Sequence, residues 1–496
     1  MRAPATCNFK PLQKLNWVFS FLFLMLGGVW ASAKTPLFRI SLSEIPKSLD
    51  PHFLRSSSGQ YVSQQLFRNF YRLNSKNEIV PELGESCKKT KSKWVCTIHK
   101  EAKWSDGTPI TASDFVESFK RILSKPSPRS DLLWNIKNAK SGLKDLGLKV
   151  LNQKSFEIQW EKNESGDEFI LMSPLFVPLP GGKFKENVFS GPFQVDQISA
   201  FKVEMSRNPH YFRKPMDPLK VHWLLMDESL TVQAFEKKEL DFLRRVPTAL
   251  IQQMRARPEY FDSPVLRMDA LFFGPALRDQ KDFRQAVVKG LDYSEMQILF
   301  NSKSKPGCAG VPLEFYTGPE ICYETQKLEP LKNKPKNLSY LYSSLGGEDH
   351  RRLAEWLQNQ FQTLFQLKLQ VRGLENKIFL DKIRTDPPAF FRRGLSPENP
   401  SCYGILESFK SGHPDNLSLI SNPAFDQILL RLKNSKDSKS LCREALQILL
   451  DEKMMIPTGR IFFSYMIQTH FNGLELNLLN HMDLSGLKRV PQNVSK

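Results

Sequence analysis

The length of the chain is the strongest constraint on how it folds. With 496 residues it exceeds what one hydrophobic core usually accommodates, because single cores stop growing at roughly 250–300 residues and longer chains divide into domains. Hydrophobic residues make up 41% of the sequence and charged residues 25%, which is an ordinary globular balance. We therefore expect two or three folding units, and neither a disordered chain nor a protein with many membrane spans.

The N-terminal segment predicts export rather than a folded element. A basic stretch (residues 2–14) precedes an apolar run (residues 15–30), and the small residues Ala31-Ser32-Ala33 follow as a cleavage site. This order is typical of a secretory signal peptide, which we assign to residues 1–33. A retained membrane anchor is the alternative, but the apolar run is short for a hydrocarbon core of about 30 Å. The predicted mature protein is secreted, periplasmic and soluble.

Six cysteines remain after the predicted cleavage, and an exported protein with six cysteines favours disulfide bonds. Sequence alone allows 15 connectivities. Spacing favours one pair that closes a hairpin and one that closes a loop: Cys87–Cys96 and Cys308–Cys322. The remaining two, Cys402 and Cys442, form a third pair or are buried free thiols. A metal site is disfavoured because no two cysteines have C-x-x-C spacing and no histidine cluster accompanies them.

The charge of the chain favours an acidic partner. The formal net charge is +18, and the predicted signal peptide carries three basic residues and no acidic ones, so the mature chain has 18 − 3 = +15. In a secreted protein this excess favours an anionic ligand or weak association with acidic surfaces of the cell envelope. Nucleic acid is a less favoured partner, because the basic residues are scattered and form no known nucleic-acid-binding motif.

Several segments show the periodicity of particular elements. Alternating apolar residues predict a half-buried strand at 37–42, and Thr111-Ala112-Ser113-Asp114 is typical of a capping box that opens a helix. From about residue 338, a strand, a helix and a strand follow within about 35 residues. This order is typical of a βαβ unit with parallel pairing. It belongs to a second lobe that we place at residues 275–461.

The sequence offers no convincing catalytic constellation. It lacks the G-x-S-x-G elbow, the phosphate-binding P-loop, G-x-G-x-x-G and H-E-x-x-H. We therefore predict a protein that is not an enzyme and uses no cofactor and no metal. The most site-like feature is Arg392-Arg393 beside two phenylalanines, which could offer bidentate donors to a carboxylate. A solvated loop is the alternative. His52 follows a turn and either lines a pocket or is an exposed or satisfied histidine.

Several segments together resemble a known family. Trp104-Ser105-Asp106-Gly107-Thr108-Pro109 is the strongest match, and further matches follow in order along nearly the whole mature chain. The other matching segments are Ser48-Leu49-Asp50-Pro51, Pro81-Glu82-Leu83, Ser190-Gly191-Pro192-Phe193, Arg207-Asn208-Pro209-His210-Tyr211, Phe283-Arg284-Gln285-Ala286-Val287 and Asn422-Pro423-Ala424-Phe425-Asp426. The chain resembles the extracellular solute-binding protein family 5, the oligopeptide, dipeptide and nickel receptors of ABC importers.

The resemblance implies an α/β fold of the two-lobed periplasmic binding protein kind, type II and cluster C-like, with an extra subdomain inserted in the first lobe. The core of lobe I would comprise residues 34–52, 179–274 and 462–496. The inserted subdomain would span residues 53–178, and lobe II residues 275–461. The two lobes would close over a ligand, because binding energy that bridges them shifts the population toward the closed form.

One departure from the family concerns the ligand. Peptide-binding members carry an Asp-Tyr-x-x-Pro element whose aspartate pairs with the amino terminus of the peptide, and Ser396-Pro397 stands at that place here. The tryptophan that often precedes the element corresponds to Arg393. A neutral serine and a basic arginine invert the local charge, so we hypothesise a ligand that is anionic or lacks a free amine. The predicted ligand contacts are His52, Phe53, Phe272, Phe273, Arg392, Arg393, Gly394, Ser396, Tyr403 and Asn416.

The resemblance thus implies the substrate-binding component of an ABC importer, which captures a peptide-like or other small solute in an interlobe cleft. Its partners would be that ligand and the permease subunits in the inner membrane, with no nucleic acid, and the protein would be a monomer. A non-transport binding module, such as a chaperone or ligand sensor, is the alternative. A hydrolase on a receptor scaffold ranks last, because no nucleophile and base are evident.

Overall fold

The computed structural model describes residues 35–490 except for short gaps. These gaps are residues 55, 91, 126, 128–129, 162–167, 214–218, 301–304, 327–330, 332–333, 398 and 435–436. The predicted signal peptide, residues 1–33, lies outside the described residues. Within the described part of the chain, no helix has the length and apolar character needed to cross a membrane.

The described residues form eleven α-helices and twenty strands. The helices are α1 Ser57–Leu66, α2 Ala112–Ser124, α3 Glu228–Glu236, α4 Ile251–Met254, α5 Lys281–Gly290, α6 Tyr293–Phe300, α7 Gly347–Phe365, α8 Asn376–Thr385, α9 Cys402–Leu406, α10 Pro423–Asn434 and α11 Ser438–Asp451. The first ten strands are β1 Leu37–Leu42, β2 Tyr71–Leu73, β3 Ile79–Pro81, β4 Gly84–Lys89, β5 Lys93–Ile98, β6 Leu148–Asn152, β7 Ser155–Gln159, β8 Phe193–Ile198, β9 Lys202–Arg207 and β10 Lys220–Leu225. The others are β11 Phe242–Leu243, β12 Tyr260–Phe273, β13 Ser339–Ser343, β14 Gln370–Leu374, β15 Phe390–Leu395, β16 Met455–Ile467, β17 Phe471–Asn472, β18 Glu475–Leu476, β19 Met482–Asp483 and β20 Lys488–Arg489.

One ten-stranded sheet connects both ends of the molecule, in the order β14-β13-β15-β12-β16-β11-β1-β10-β9-β8. Strand β1 pairs in parallel with β10 and β11. Strand β13 pairs in parallel with β14, across helix α7 in the sequence, which confirms the predicted βαβ unit. Strands β12 and β16 pair antiparallel in the middle of the sheet. They are the longest strands, and they carry the chain from one lobe to the other.

Separate hydrophobic cores form at the two ends of this sheet. In the first lobe, Phe38, Ile40 and Leu42 of β1 are buried among the neighbouring strands and the segment after residue 470, as the alternating pattern predicts. In the second lobe, helices cover both faces of the sheet. Helices α9, α10 and α11 pack on one face, and α5 and α7 pack on the other. This arrangement confirms the α/β, two-lobed fold.

A third core surrounds a second sheet of four strands, in the order β4-β5-β7-β6. Helix α2 contributes Phe115 and Phe119 to this core. The helix begins with the predicted capping box, in which the Asp114 carboxylate accepts a 2.7 Å hydrogen bond from the backbone N–H of Thr111. The capping box satisfies backbone donors that the first turn of a helix leaves free, so this helix start could be predicted from four residues.

The packing differs from the predicted domain boundaries at two places. Helix α1 falls in the predicted insertion, yet Val62 and Leu66 are buried in the core of the first lobe. Residues Leu266 to Phe273 of β12 fall in the predicted lobe I, yet they contribute to the two cores of the second lobe. Both segments lie next to crossings between folding units, where the hydrophobic pattern does not reveal which core receives a side chain. The remaining boundaries stay predictions.

Three disulfide bonds join the six cysteines: Cys87–Cys96, Cys308–Cys322 and Cys402–Cys442. The first links directly opposite residues of β4 and β5. The third joins helices α9 and α11, so Cys402 and Cys442 are not free thiols. Both are buried in the core of the second lobe. The disulfides therefore support two different cores.

We predict that loss of the third disulfide destabilises the protein more than loss of the first. The Cys402–Cys442 bond spans 40 residues and Cys87–Cys96 spans 9, so the longer loop restricts the unfolded chain more. Chain entropy gives about 4 kcal/mol for the longer loop and about 2.6 kcal/mol for the shorter one. Denaturant unfolding of the two double Cys→Ala variants measures the difference. An equal or smaller loss for the longer loop would contradict the prediction.

Candidate functional site

A cleft of about 760 Å³ lies between the two lobes, where β12 and β16 cross from one to the other. Its floor is formed by side chains of these strands, including Val265, Ile461 and Phe462. Helix α1 and residues 479–481 contribute from the first lobe, and α8 and β15 contribute from the second. The volume is in the range of sites that enclose small molecules.

Strand β12 explains how charged groups reach this cleft. Leu266 and Met268 face the core of the second lobe, while Arg267 and Asp269 line the cleft. The alternation follows from the two-residue period of a strand. The register of β12 against β16 shifts between Val265 and Met268, and again before Ala270. Such bulges bend a strand and redirect its side chains.

The best-buried charges of the cleft are Asp269 and Arg392, which have relative exposures of 7% and 9%. The guanidinium donates from Nη2 to Oδ2 at 2.5 Å and from Nε to both carboxylate oxygens at 3.1 and 3.2 Å. Burial works against a charge on Asp269, but the attraction of Arg392 outweighs it and holds the pKa of Asp269 below its ordinary value. The pair is therefore charged at neutral pH.

The cleft carries an excess of basic groups. Among the described residues that line it, six are arginines and three are aspartates, with no lysine or glutamate. The arginines are Arg245, Arg255, Arg267, Arg392, Arg393 and Arg460, and the aspartates are Asp262, Asp269 and Asp349. If every one of these groups is charged, the lining has a net charge of 6 − 3 = +3. Asp415 and Glu320, which lie outside the lining, pair with Arg393 and Arg460 and compensate two of these charges. The positive excess that remains favours anions over cations.

Asp349 makes a contact between the lobes at the rim of the cleft. It lies at the start of α7 in the second lobe, and its carboxylate accepts a 2.5 Å hydrogen bond from the Thr248 hydroxyl. Arg245 Nη2 lies 3.5 Å from the same carboxylate, and its Nη1 lies 3.7 Å from Glu228. Thr248 and Arg245 flank Val246, which packs in the first-lobe core around β11. One carboxylate thus bridges the two lobes.

Two histidines of the cleft are neutral at physiological pH. Burial, reinforced by the charge of Arg392, lowers the pKa of His350 to about 4, and burial lowers the pKa of His481 to about 4. The Nδ1 atom of His350 lies 2.8 Å from the Ser343 carbonyl oxygen. Nδ1 is therefore the protonated nitrogen, and Nε2 is left as an acceptor. These rings add hydrogen-bonding groups to the cleft without adding charge.

The structure brings four of the ten predicted contacts to the cleft, namely Arg392, Arg393, Gly394 and Ser396. They lie on β15 and directly after it, beside β12 in the sheet. Arg393 Nη2 donates to the Asp415 carboxylate at 2.6 Å, so this arginine is fixed rather than part of a solvated loop. The side chains of the other six predicted residues do not line the cleft.

Those six predictions are corrected by packing. Phe272 stacks on Phe391, and Phe273 contacts Phe390, so both lie in the second-lobe cores. The Asn416 amide nitrogen donates to three backbone carbonyls, and the Tyr403 ring packs partly buried against the same lobe. In the sequence, a large aromatic residue or a polar residue near a turn looks the same whether it lines a pocket or packs in a core.

The remaining two corrected residues, His52 and Phe53, lie where the first lobe meets helix α2. His52 is fully buried, and its Nε2 lies 2.8 Å from the Val177 carbonyl oxygen. Arg121 contacts the other ring nitrogen of His52 at 2.9 Å and lies over the Phe53 ring at 4.8 Å. Both side chains therefore have a structural role there, and neither lines the cleft.

Sequence reasoning missed several charged residues of the cleft. Arg267 and Asp269 interrupt the apolar run 265–273 at alternate positions, and charges on one face of an otherwise buried strand were a usable signal. Arg460 directly follows a glycine within β16, which is a weaker signal in the sequence. Arg245, Asp349 and His350 are further examples, and they lie in polar surroundings where no pattern distinguishes them.

We expect Asp269→Ala to cost about 3–5 kcal/mol, because it leaves the Arg392 guanidinium buried without its counterion. The exposed Lys382–Asp386 pair supplies the control, since Asp386→Ala should cost less than about 1 kcal/mol. Urea unfolding at pH 7 measures both. A cost for Asp269→Ala below about 1 kcal/mol would show that the pair contributes little to stability.

The same pair predicts a pH dependence. Because the folded pKa of Asp269 is depressed, its contribution is fully present above the unfolded pKa of about 3.9 and is lost as the pH falls through the folded pKa. The difference in unfolding free energy between wild type and Asp269→Ala should be constant above about pH 5 and narrow below pH 4. Urea titrations from pH 7 to pH 3 test this, and a difference that widens in acid would contradict it.

We predict that Asp349→Ala shifts the ligand-free protein toward a more open arrangement of the lobes. Loss of about 1 kcal/mol of interlobe contact shifts the equilibrium roughly fivefold. Small-angle scattering should show a larger radius of gyration than in wild type. Asp381→Ala, an exposed change on α8 of the same lobe, should leave the scattering unchanged. Identical scattering for all three proteins would rule out a closing role for Asp349.

Comparison with known proteins agrees with this architecture. The periplasmic murein peptide-binding protein MppA of Escherichia coli is 24% identical, and the match covers 91% of this chain and 92% of that protein. The dipeptide-binding protein DppE of Bacillus subtilis is 23% identical, over 83% of this chain and 84% of its own length. The solved structure of the Escherichia coli murein tripeptide binding protein MppA superposes with a TM-score of 0.78 at 21% identity, covering 93% of this chain and 99% of that one. This structural likeness confirms the fold.

The family is shown by a match over more than half of the sequence. The description of the matching family is "Bacterial extracellular solute-binding proteins, family 5 Middle", and the match covers residues 78–416. It includes α2, with its capping box, and most of the second lobe, including the cleft residues of β12 and β15. The chain therefore belongs to the bacterial extracellular solute-binding proteins, family 5.

Proposed function

We propose that this protein is the extracytoplasmic substrate-binding component of an ABC importer and captures a small anionic, peptide-like solute in the interlobe cleft. It is exported by its N-terminal segment, works as a periplasmic monomer and delivers its ligand to permease subunits in the inner membrane. It binds without transforming its ligand. The relatives support this role, since each is named as a binding protein.

The observation that carries the proposal is the charge of the cleft. Six arginines face three aspartates among the described lining residues, and the described residues around Ser396 add no acid where peptide-binding relatives are expected to hold a free amine. A ligand amine would enter a positive field, whereas a carboxylate would be attracted. The charge distribution therefore favours a ligand whose amine is absent or blocked.

The apolar residues that line the cleft support a ligand with apolar parts as well. Phe462, Phe463 and Leu479 line the cleft together with the arginines. Apolar area removed from water contributes roughly 25 cal/mol per Å², while a few placed polar groups fix orientation and specificity. A short peptide with a blocked amino terminus combines apolar side chains, backbone hydrogen-bonding groups and a carboxylate, so it matches all of these features.

We expect N-acetylation to preserve binding. Calorimetry with a short apolar peptide in free-amine and N-acetylated forms should give dissociation constants within about threefold of each other, or tighter binding of the acetylated form. The physical reason is that the lining offers no excess acid to compensate a buried ammonium group. Strict dependence on the free amine would contradict the proposal.

A gain-of-function variant sharpens this test. Ser396→Asp introduces an acid at the position where the family resemblance implies one in peptide-binding members, so it should shift the preference toward the free-amine peptide by roughly tenfold. Ser440→Asp makes the same charge change on α11 of the second lobe, outside the cleft lining, and should not change the preference. If neither form of the peptide binds wild type, the peptide-like ligand is wrong.

A further inference from the structure

The arginines of the cleft differ in how far the protein itself neutralises them. Four are engaged by acidic side chains of the chain. These pairs are Arg392 with Asp269, Arg393 with Asp415, Arg460 with Glu320, and Arg245 with Asp349. A guanidinium already bonded to a carboxylate has fewer free donors and a compensated charge, so these four shape the cleft more than they attract a ligand.

The other two arginines are Arg255 and Arg267. Arg255 lies near the Tyr260 hydroxyl and opposes the rise that burial causes in the pKa of that group. The hydroxyl donates at 2.5 Å to the Asp262 carboxylate. Arg255 therefore belongs to a small polar cluster with an acid. Arg267 has no ion-pair or hydrogen-bond partner within the part of the chain that the structure describes, and its side chain is exposed in the cleft.

The Arg267 guanidinium packs on Gly394 of the neighbouring strand, and we call this contact surface its seat. It lies against the backbone of Gly394, so closely that a Cβ atom at this residue would be 2.1–2.3 Å from Nη2, Nε and Cζ. Gly394 pairs with Asp269 across β12 and β15, and it precedes Ser396 by two residues. The missing side chain of a glycine thus makes room for a positive group two residues before Ser396.

We propose that Arg267, held on Gly394, is the residue that selects a carboxylate-bearing ligand. This rests on the proposed function, because it concerns the ligand of the same cleft. The guanidinium offers parallel N–H donors that match the two oxygens of a carboxylate. Among the described residues, Arg267 forms no ion pair with an acid. The nearby Asp269 attracts it at longer range, but this carboxylate is bonded to Arg392.

The closest alternative is that Arg393 anchors the ligand instead. Arg393 is fixed by Asp415, which also receives a 3.2 Å hydrogen bond from Arg384. Displacing that acid would cost the protein a partly buried ion pair, whereas Arg267 has no ion pair among the described residues that a ligand carboxylate would have to displace. The difference in existing partners therefore favours Arg267.

The experiment uses the mature full-length protein and one N-acetylated apolar tripeptide in two forms, with a C-terminal carboxylate and with a C-terminal carboxamide. We expect wild type to bind the carboxylate form about tenfold or more tightly. Arg267→Gln should reduce this ratio to near one, mainly by weakening the carboxylate form. Arg372→Gln removes an exposed arginine from β14, away from the cleft lining, and should leave the ratio unchanged.

A second variant tests the seat itself. Gly394→Ala keeps all charges but places a methyl group where the guanidinium lies, so it should lower the ratio several-fold. The double variant Arg267→Gln/Gly394→Ala should have the same ratio as Arg267→Gln alone, because the methyl group then has nothing to displace. Thermal unfolding of each variant separates a loss of selectivity from a loss of the fold.

The outcomes separate the two proposals. Equal binding of the two forms by wild type, or a ratio that Arg267→Gln leaves unchanged, overturns the role of Arg267 but leaves a peptide-binding receptor intact. Absence of binding by either form overturns the proposed peptide-like ligand and the role of Arg267 with it. A ratio that falls in Arg267→Gln but not in Gly394→Ala overturns the seat on Gly394.

Discussion

The antiparallel pairing of β12 with β16 is the interaction on which the rest of the structure depends. The pairing runs from Tyr260 opposite Met466 to Phe272 opposite Met455. Its first end packs with the first lobe and its second end with the second lobe. The backbone hydrogen bonds of the ladder thus set the distance between the two cores. The cleft exists because the two cores do not merge into one. The register shifts lie at the crossing, where the ladder is interrupted and changes of twist are easiest.

Electrostatics within the cleft follow from this arrangement. The strands carry charges to a place where both lobes limit contact with water, so each charge needs a partner there or a role with the ligand. Asp269 is the partner of Arg392. Asp349 pairs with Arg245 of the other lobe, so this charge has its partner only while the lobes are close together. Arg267 stands apart because it lies against Gly394 but forms no ion pair with an acid among the described residues. The proposed selectivity for a carboxylate is the direct consequence of that imbalance.

Much of the fold could be predicted from local patterns. The capping box at Thr111, the hairpin closed by Cys87 and Cys96, and the βαβ unit depend on neighbours within a few residues or on simple periodicity, so short segments specify them. The site could be predicted only in part. The segment around Arg393 is recognisable from the sequence because charges in an aromatic stretch are unusual. The prediction for Phe272 is wrong, because an apolar residue beside a cleft and one beneath it have the same sequence pattern.

The sequence by itself determined the family, the α/β class, the elements with clear periodicity and the excess of positive charge. Each of these depends on composition or on contacts between near neighbours. Only the tertiary structure decided which arginines are neutralised. Asp269 and Arg392 are 123 residues apart, and Arg267 reaches Gly394 across 127 residues. Which charges remain free is a property of distances in space, and these distances are set by strand pairing that no local pattern specifies.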